Sequence, residues 1–133
     1  MYELTVERQF SAAHRLDNYA GPCARLHGHN YRVLVSFRGE TLDQGGFLVD
    51  FTPLKSLCDE ALVDLDHQFL NEHPAFAGRN PTAEALAQHI FARVQAAAAD
   101  LPAQAYDAYI DATWRPSSPP TAPPPASRAA SIR

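Results

Sequence analysis

The sequence predicts an α+β domain in which two helices pack on one face of an antiparallel sheet. Three observations carry this prediction. Two N-terminal stretches alternate apolar and polar residues with period two, two later stretches repeat apolar residues at helical spacing, and another alternating stretch follows them. A chain of 133 residues has room for one hydrophobic core but not two.

Tyr2 to His14 is the first predicted strand, with Phe10, Ala12 and His14 on one face. Arg15 to Asn30, with Asn18, Gly21 and Pro22, reads as a loop. Tyr31 to Arg38 is the plainest strand, because Val33, Val35 and Phe37 alternate with polar or outward residues. Asp43-Gln44-Gly45-Gly46 marks a turn, and Phe47-Leu48-Val49 starts a short return strand. Thr52 is the expected cap of a first helix with Pro53 in its first turn. Leu54, Leu57, Cys58, Ala61, Leu62 and Leu65 form its apolar stripe. Thr82 is the expected cap of a second helix, about Ala83 to Ala98, with Glu84 in its first turn and Leu86, Ile90, Phe91 and Val94 facing inward. Ala105 to Thr113 makes a last strand. Beyond Trp114 the run of Pro, Ala and Ser cannot build a core, so the folded domain is expected over 1–114 and a disordered tail over 115–133.

A hydrophobic content of 46% and a net charge of -4 suit an ordinary soluble globular protein and give nucleic acid no basic surface. No apolar run is long enough to span a membrane, and Met1-Tyr2-Glu3-Leu4-Thr5 lacks the pattern of a signal peptide, so the cytoplasm is the expected location. A reducing compartment argues against a disulfide between Cys23 and Cys58.

The chemistry concentrates in His14, His27 and His29, with Cys23 just ahead of the last two. Three imidazoles without a fourth protein ligand suit a zinc ion that keeps one position open. His27 and His29 are two apart, so an extended backbone sends both the same way, and Gly28 between them has no side chain to obstruct a close approach. A thiol four residues before His27 is a candidate base or nucleophile, and the same spacing also allows Cys23 as a fourth ligand of a structural site. Asp66 can orient and activate His67; the alternative is a histidine set against a helix C-terminal dipole. His73 and His89 have no such company and read as a loop residue and a helix-surface residue. Cys58 reads as a small core residue.

Phe10-x-Ala12-Ala13-His14, Cys23-x-x-x-His27-Gly28-His29-Asn30-Tyr31, Val49-Asp50-Phe51-x-x-Leu54-Lys55, Leu65-Asp66-His67-x-x-Leu70-Asn71 and Asn80-Pro81-Thr82-x-Glu84 occur in that order. Through this ordered set, over about Met1 to Ala99, the chain resembles the 6-pyruvoyltetrahydropterin synthase family. Within it the resemblance is strongest to the bacterial branch that makes 6-carboxy-5,6,7,8-tetrahydropterin for queuosine (7-deazaguanine) biosynthesis. The resemblance implies a tunnelling fold, in which subunit sheets join into a barrel with helices outside, and a homohexamer of two stacked trimers. It implies zinc on His14, His27 and His29, catalysis by Cys23, Asp66 and His67, and substrate contacts from Thr82 and Glu84. The implied substrate is 7,8-dihydroneopterin triphosphate, which loses triphosphate and acetaldehyde. In the pyruvoyl branch the side-chain carbon–carbon bond survives. There is no phosphate-loop motif, and scattered Arg and Lys from neighbouring subunits are the expected triphosphate cradle.

The chain departs from the family in its last strand. Family members carry Glu-Thr there, and the glutamate grips the pterin amide and amino N–H groups. Here Ala112 stands in that place and Asp111 is one off, on the opposite face of a strand. Loss of a bidentate charge-assisted contact costs on the order of 2–5 kcal/mol of binding, which opens a reading of this copy as an impaired zinc- and pterin-binding relic. The tail has the composition of GC-rich DNA read out of frame, and a shift of two bases across Thr113-Trp114-Arg115-Pro116 allows Val-Glu-Thr. Sequencing the genomic stretch is expected to show Glu-Thr and a later Tyr in the shifted frame; their absence removes the explanation.

Overall fold

The computed structural model describes residues 1–21, 24–112 and 129–132. Four strands, β1 (Tyr2–His14), β2 (His27–Gly39), β3 (Gln104–Asp111) and β4 (Ala129–Ile132), form one antiparallel sheet in the order β1-β2-β3-β4. Two helices, α1 (Phe51–Leu62) and α2 (Ala83–Ala97), lie between β2 and β3 in sequence, with short 3-10 turns at Leu70–Glu72 and Pro74–Phe76. This is the α+β arrangement expected from the sequence.

The alternation along each strand sorts the two faces of the sheet. Val6, Phe10 and Ala12 of β1, Tyr31, Val33, Val35 and Phe37 of β2 and Ile110 of β3 share one buried cluster with the helices. Leu54, Leu57, Cys58 and Ala61 of α1 and Leu86, Ile90 and Val94 of α2 supply the other side of that core. The opposite face is polar and held by cross-strand pairs: Glu3 with Arg38 at 2.7 Å, Thr5 with Ser36 at 3.0 Å, and Glu7 with Arg32. Cys58 is a free thiol whose burial pushes its pKa up to about 12, as expected of a core residue. No helix among the described residues is long and apolar enough to cross a membrane.

Several expectations change. β2 begins at His27 rather than Tyr31, because β1 continues to His14 and the ladder runs to its end with His14 opposite His27. The cap of α1 is Asp50, whose carboxylate accepts the Thr52 N–H at 2.9 Å; the helix therefore starts at Phe51, and Thr52 lies inside it. Asp43 to Gly46 does form a turn, with Gly46 at φ 85°, a left-handed conformation that favours glycine. Phe47 to Val49 makes no return strand, since both edges of β2 are already taken by β1 and β3. Phe91 is half-buried rather than fully inward. Within the segment read as a disordered tail, Ala129–Ile132 pairs with β3 as β4: β3 offers an open edge, and this short Pro-free stretch can fill it. Residues 113–128, which hold most of that tail, lie outside the described residues.

Thr82 is the cap of α2, its hydroxyl accepting the Ala85 N–H at 3.1 Å. Thr82→Ala is therefore expected to lower stability by about 1 kcal/mol. Leu86→Ala, at a fully buried position, should lower it by about 2–5 kcal/mol. Urea denaturation of the two variants measures both.

Candidate active site

The metal-type cluster follows from strand register. On β1 and β2, His14 pairs with His27 and Ala12 with His29, so all three imidazoles project from one face at one end of the ladder. Their ring centroids are 4.6 to 5.0 Å apart, and the three candidate ligand atoms lie within 4.8 Å of one another. His14 Nδ1 lies 2.7 Å from the Pro81 carbonyl, and His27 Nδ1 lies 2.7 Å from that of Arg25. A carbonyl only accepts, so both Nδ1 atoms carry hydrogen and donate. In the neutral rings the two Nε2 lone pairs then face each other at 3.0 Å. Such a contact needs a cation between the atoms, and a third imidazole turned to the same place makes a metal ion the fitting one. These residues could hold a metal as the sequence expects.

His67 reaches the same region by a different route. The segment after α1 runs beside the outer edge of β1. The His67 N–H donates to the Ser11 carbonyl at 2.6 Å, and the Ala13 N–H donates to the Gln68 carbonyl at 3.0 Å. Asp66 turns its carboxylate inward, where Oδ1 accepts the Ser11 N–H at 3.0 Å and lies 2.9 Å from His67 Nδ1. His67 has φ 59°, unusual for a residue with a side chain, and the bonds on both sides of it hold that conformation. The imidazole is 79% exposed, oriented by the carboxylate yet open to a substrate. The Ser11 N–H is the main cause that holds the Asp66 carboxyl below the usual carboxylate range; burial opposes it, and the contacts with His67 add to the lowering.

A cleft of about 670 Å³ lies beside His67 at this end of the ladder; Ser11, Gly28, His29, Asn30, His67 and Phe69 are among its lining residues. At Gly28 an added Cβ would meet only the Ala12 carbonyl, at 3.8 Å. The protein's own packing therefore does not require glycine there, and the open space belongs to the cleft. Glu84 is exposed in the first turn of α2, and neither it nor Thr82 is among the lining residues. Cys23 lies outside the described residues. Ala112 is 5% exposed within the apolar core, while Asp111 is buried on the other face opposite Arg32, as strand alternation predicts. Sequence reasoning missed one grouping: His73 and His89 come together with Asp64. The only trace in the sequence is His89 lying three residues after Leu86, beside the apolar stripe of α2, too weak a signal without the path of the loop.

Residues 3–109 match the family described as 6-pyruvoyl tetrahydropterin synthase. The chain belongs to this family. A 6-carboxy-5,6,7,8-tetrahydropterin synthase of Bacillus subtilis is 40% identical over 100 residues, which is 71% of this chain and 66% of that protein, just under two thirds. The Synechocystis protein of the same name is 36% identical over 102 residues, 73% of this chain and 78% of that protein. The 6-pyruvoyl tetrahydrobiopterin synthase of Dictyostelium discoideum is 34% identical over 100 residues, covering 66% of this chain and 74% of its own. Among solved structures, the Caenorhabditis elegans 6-pyruvoyl tetrahydropterin synthase has a TM-score of 0.76 at 26% identity, covering 100% of this chain and 96% of that one. The fold is the tunnelling fold, as the resemblance implied.

The depressed Asp66 carboxyl has a pH consequence. The folded state favours the charged form, so this stabilisation is present above the ordinary carboxylate value of about 4 and is lost as pH falls through the lower folded value. In denaturant melts between about pH 6 and pH 2, Asp66→Asn is expected to lose less stability on acidification than the wild type. An unchanged acid limb would show that Asp66 is not held this way.

Proposed function

We propose that this chain converts 7,8-dihydroneopterin triphosphate to 6-carboxy-5,6,7,8-tetrahydropterin, releasing acetaldehyde and triphosphate, within cytoplasmic queuosine (7-deazaguanine) biosynthesis. The observation that carries the reading is a cleft whose lining includes both His29, a member of the metal-type cluster, and the Asp66-backed His67. The names of the Bacillus and Synechocystis relatives support the product. Zinc on His14, His27 and His29 would supply Lewis acidity, lowering the pKa of substrate hydroxyls. His67 takes or returns a proton within the cleft, with Asp66 fixing its tautomer and stabilising its charged form. Cys23 is the second proton-transfer group, a role that rests on its place four residues before His27. Thr82 and Glu84 remain substrate contacts of the proposed assembly, in which Thr82 also caps α2. That assembly is a homohexamer of two trimers; β1 ends the sheet, so the part of its outer edge before Ser11 can pair with another subunit's strand.

Ala112, in place of the pterin-anchoring glutamate, favours a second reading, a copy that binds metal without turnover. The Dictyostelium relative marks the third, a pyruvoyl product. Incubating zinc-loaded protein with 7,8-dihydroneopterin triphosphate is expected to yield acetaldehyde and 6-carboxytetrahydropterin. Pyruvoyltetrahydropterin without acetaldehyde would assign the other branch, and no product would identify the relic. Cys23→Ala is expected to retain zinc while activity falls at least about 100-fold; loss of zinc as well would make Cys23 a ligand.

A further inference from the structure

We propose that Asp64, His73 and His89 form a second metal site, for a first-row divalent ion of the zinc class, separate from the three-histidine cluster. The three residues come from different elements: Asp64 just after α1, His73 between the two 3-10 turns, and His89 on α2. Their candidate ligand atoms lie within 4.8 Å of one another. Tetrahedral ligands at zinc distances are about 3.3 Å apart, so small side-chain rotations close the set. Two imidazoles and one carboxylate select zinc, cobalt, nickel or iron over magnesium or calcium.

His89 supplies the independent observation. Its Nε2 is buried with no hydrogen-bond partner among the described residues, an arrangement that ordinarily costs free energy. Burial, against the opposing pull of Asp64, disfavours the charged form of the ring. Arg93 occupies Asp64 Oδ1, which leaves Oδ2 for the site. Arg79 and Arg93 also oppose a dication, so this site is the weaker of the two.

The proton balance is explicit. The Ala75 N–H donates to His73 Nδ1 at 3.0 Å, so the His73 proton sits on Nε2 and is donated to Asp64 Oδ2 at 2.8 Å. An incoming ion takes the position of that proton, which moves to Nδ1, and the Ala75 N–H loses its acceptor. No proton leaves the protein. The ion would tie the loop after α1 to α2. That loop carries Asp66 and His67, and its far end supplies Pro81, whose carbonyl fixes His14.

The test titrates Co²⁺ into a His14→Ala/His27→Ala variant, which lacks the first cluster and keeps the second. Uptake with visible ligand-field absorption, a rise in Tm and faster hydrogen exchange at the Ala75 amide are expected. Adding His89→Gln should abolish all three. Where the double variant fails to fold, wild type and His89→Gln are compared for bound cobalt, with one fewer ion per chain expected in the variant. No uptake by the folded double variant, or uptake indifferent to His89→Gln, overturns the proposal. None of these readouts depends on turnover, so they stand or fall apart from the proposed reaction.

Discussion

The register of β1 against β2 is the constraint on which the site depends. Thirteen Cα pairs run without a bulge from Tyr2 opposite Gly39 to His14 opposite His27. Because side chains alternate with period two, a slip of one residue would send His14 to the face opposite His27 and His29. The same slip would expose Val6 and Phe10. The apolar face thus fixes the register, and the register fixes the histidines. The Phe10 and Tyr31 rings, stacked with centroids 4.7 Å apart, fasten the ladder just before the cluster begins. Tyr31 continues the link, its hydroxyl 3.5 Å from His14 Nδ1.

The second half of the site is attached to the same strand by its backbone. Ser11 accepts from His67 through its carbonyl and donates to Asp66 through its N–H, so a single β1 residue locates the carboxylate and the imidazole together. Two asparagines extend the fastening. Asn71 bonds both the N–H and the carbonyl of Arg15, and Asn80 does the same for Asp17. Each mimics one rung of a strand ladder where no strand exists. Together they hold the exit of β1 against the loop that carries His67 and Pro81. The left-handed backbone at His67 persists because bonds lie on either side of it, which lets a strained residue stay exposed at the cleft.

The sequence made legible those elements whose periodicity was tied to burial. β1, α2 and its Thr82 cap follow directly from alternation, helical spacing and a capping residue. The His14, His27 and His29 grouping was legible because His14 ends the alternation of β1 and an extended backbone turns His27 and His29 the same way, here as a continuation of β2. That continuation was hidden at the start of β2, where polar histidines replace the valines that mark the rest of the strand. Asp50 was missed as a cap because Thr52 and Pro53 offered a stronger local signal. Asp64, His73 and His89 could not be joined from sequence at all. Their meeting depends on the path of a loop fixed by Asn71, Asn80 and two 3-10 turns, none of which leaves a periodic trace.

The two ends of the proposed site rest on different strands, and this separates their fates. The three imidazoles of the proposed metal end come from β1 and β2. The pterin end of the proposed site falls to β3 and the residue after it, where Ile110 and Ala112 are in the core and Asp111 lies on the other side. Asp111 cannot replace the missing carboxylate by a register shift without turning Ile110 out of the core. The irregularity between Ser36 and Phe37 of β2 does not help, since Asp107 to Asp111 remain in regular register beyond it. A change in β3 therefore leaves the three imidazoles in place while removing the contact that the resemblance expects for the pterin. In the proposed site, metal and substrate binding are therefore separable, because an alteration of β3 leaves the three imidazoles where the β1–β2 register sets them.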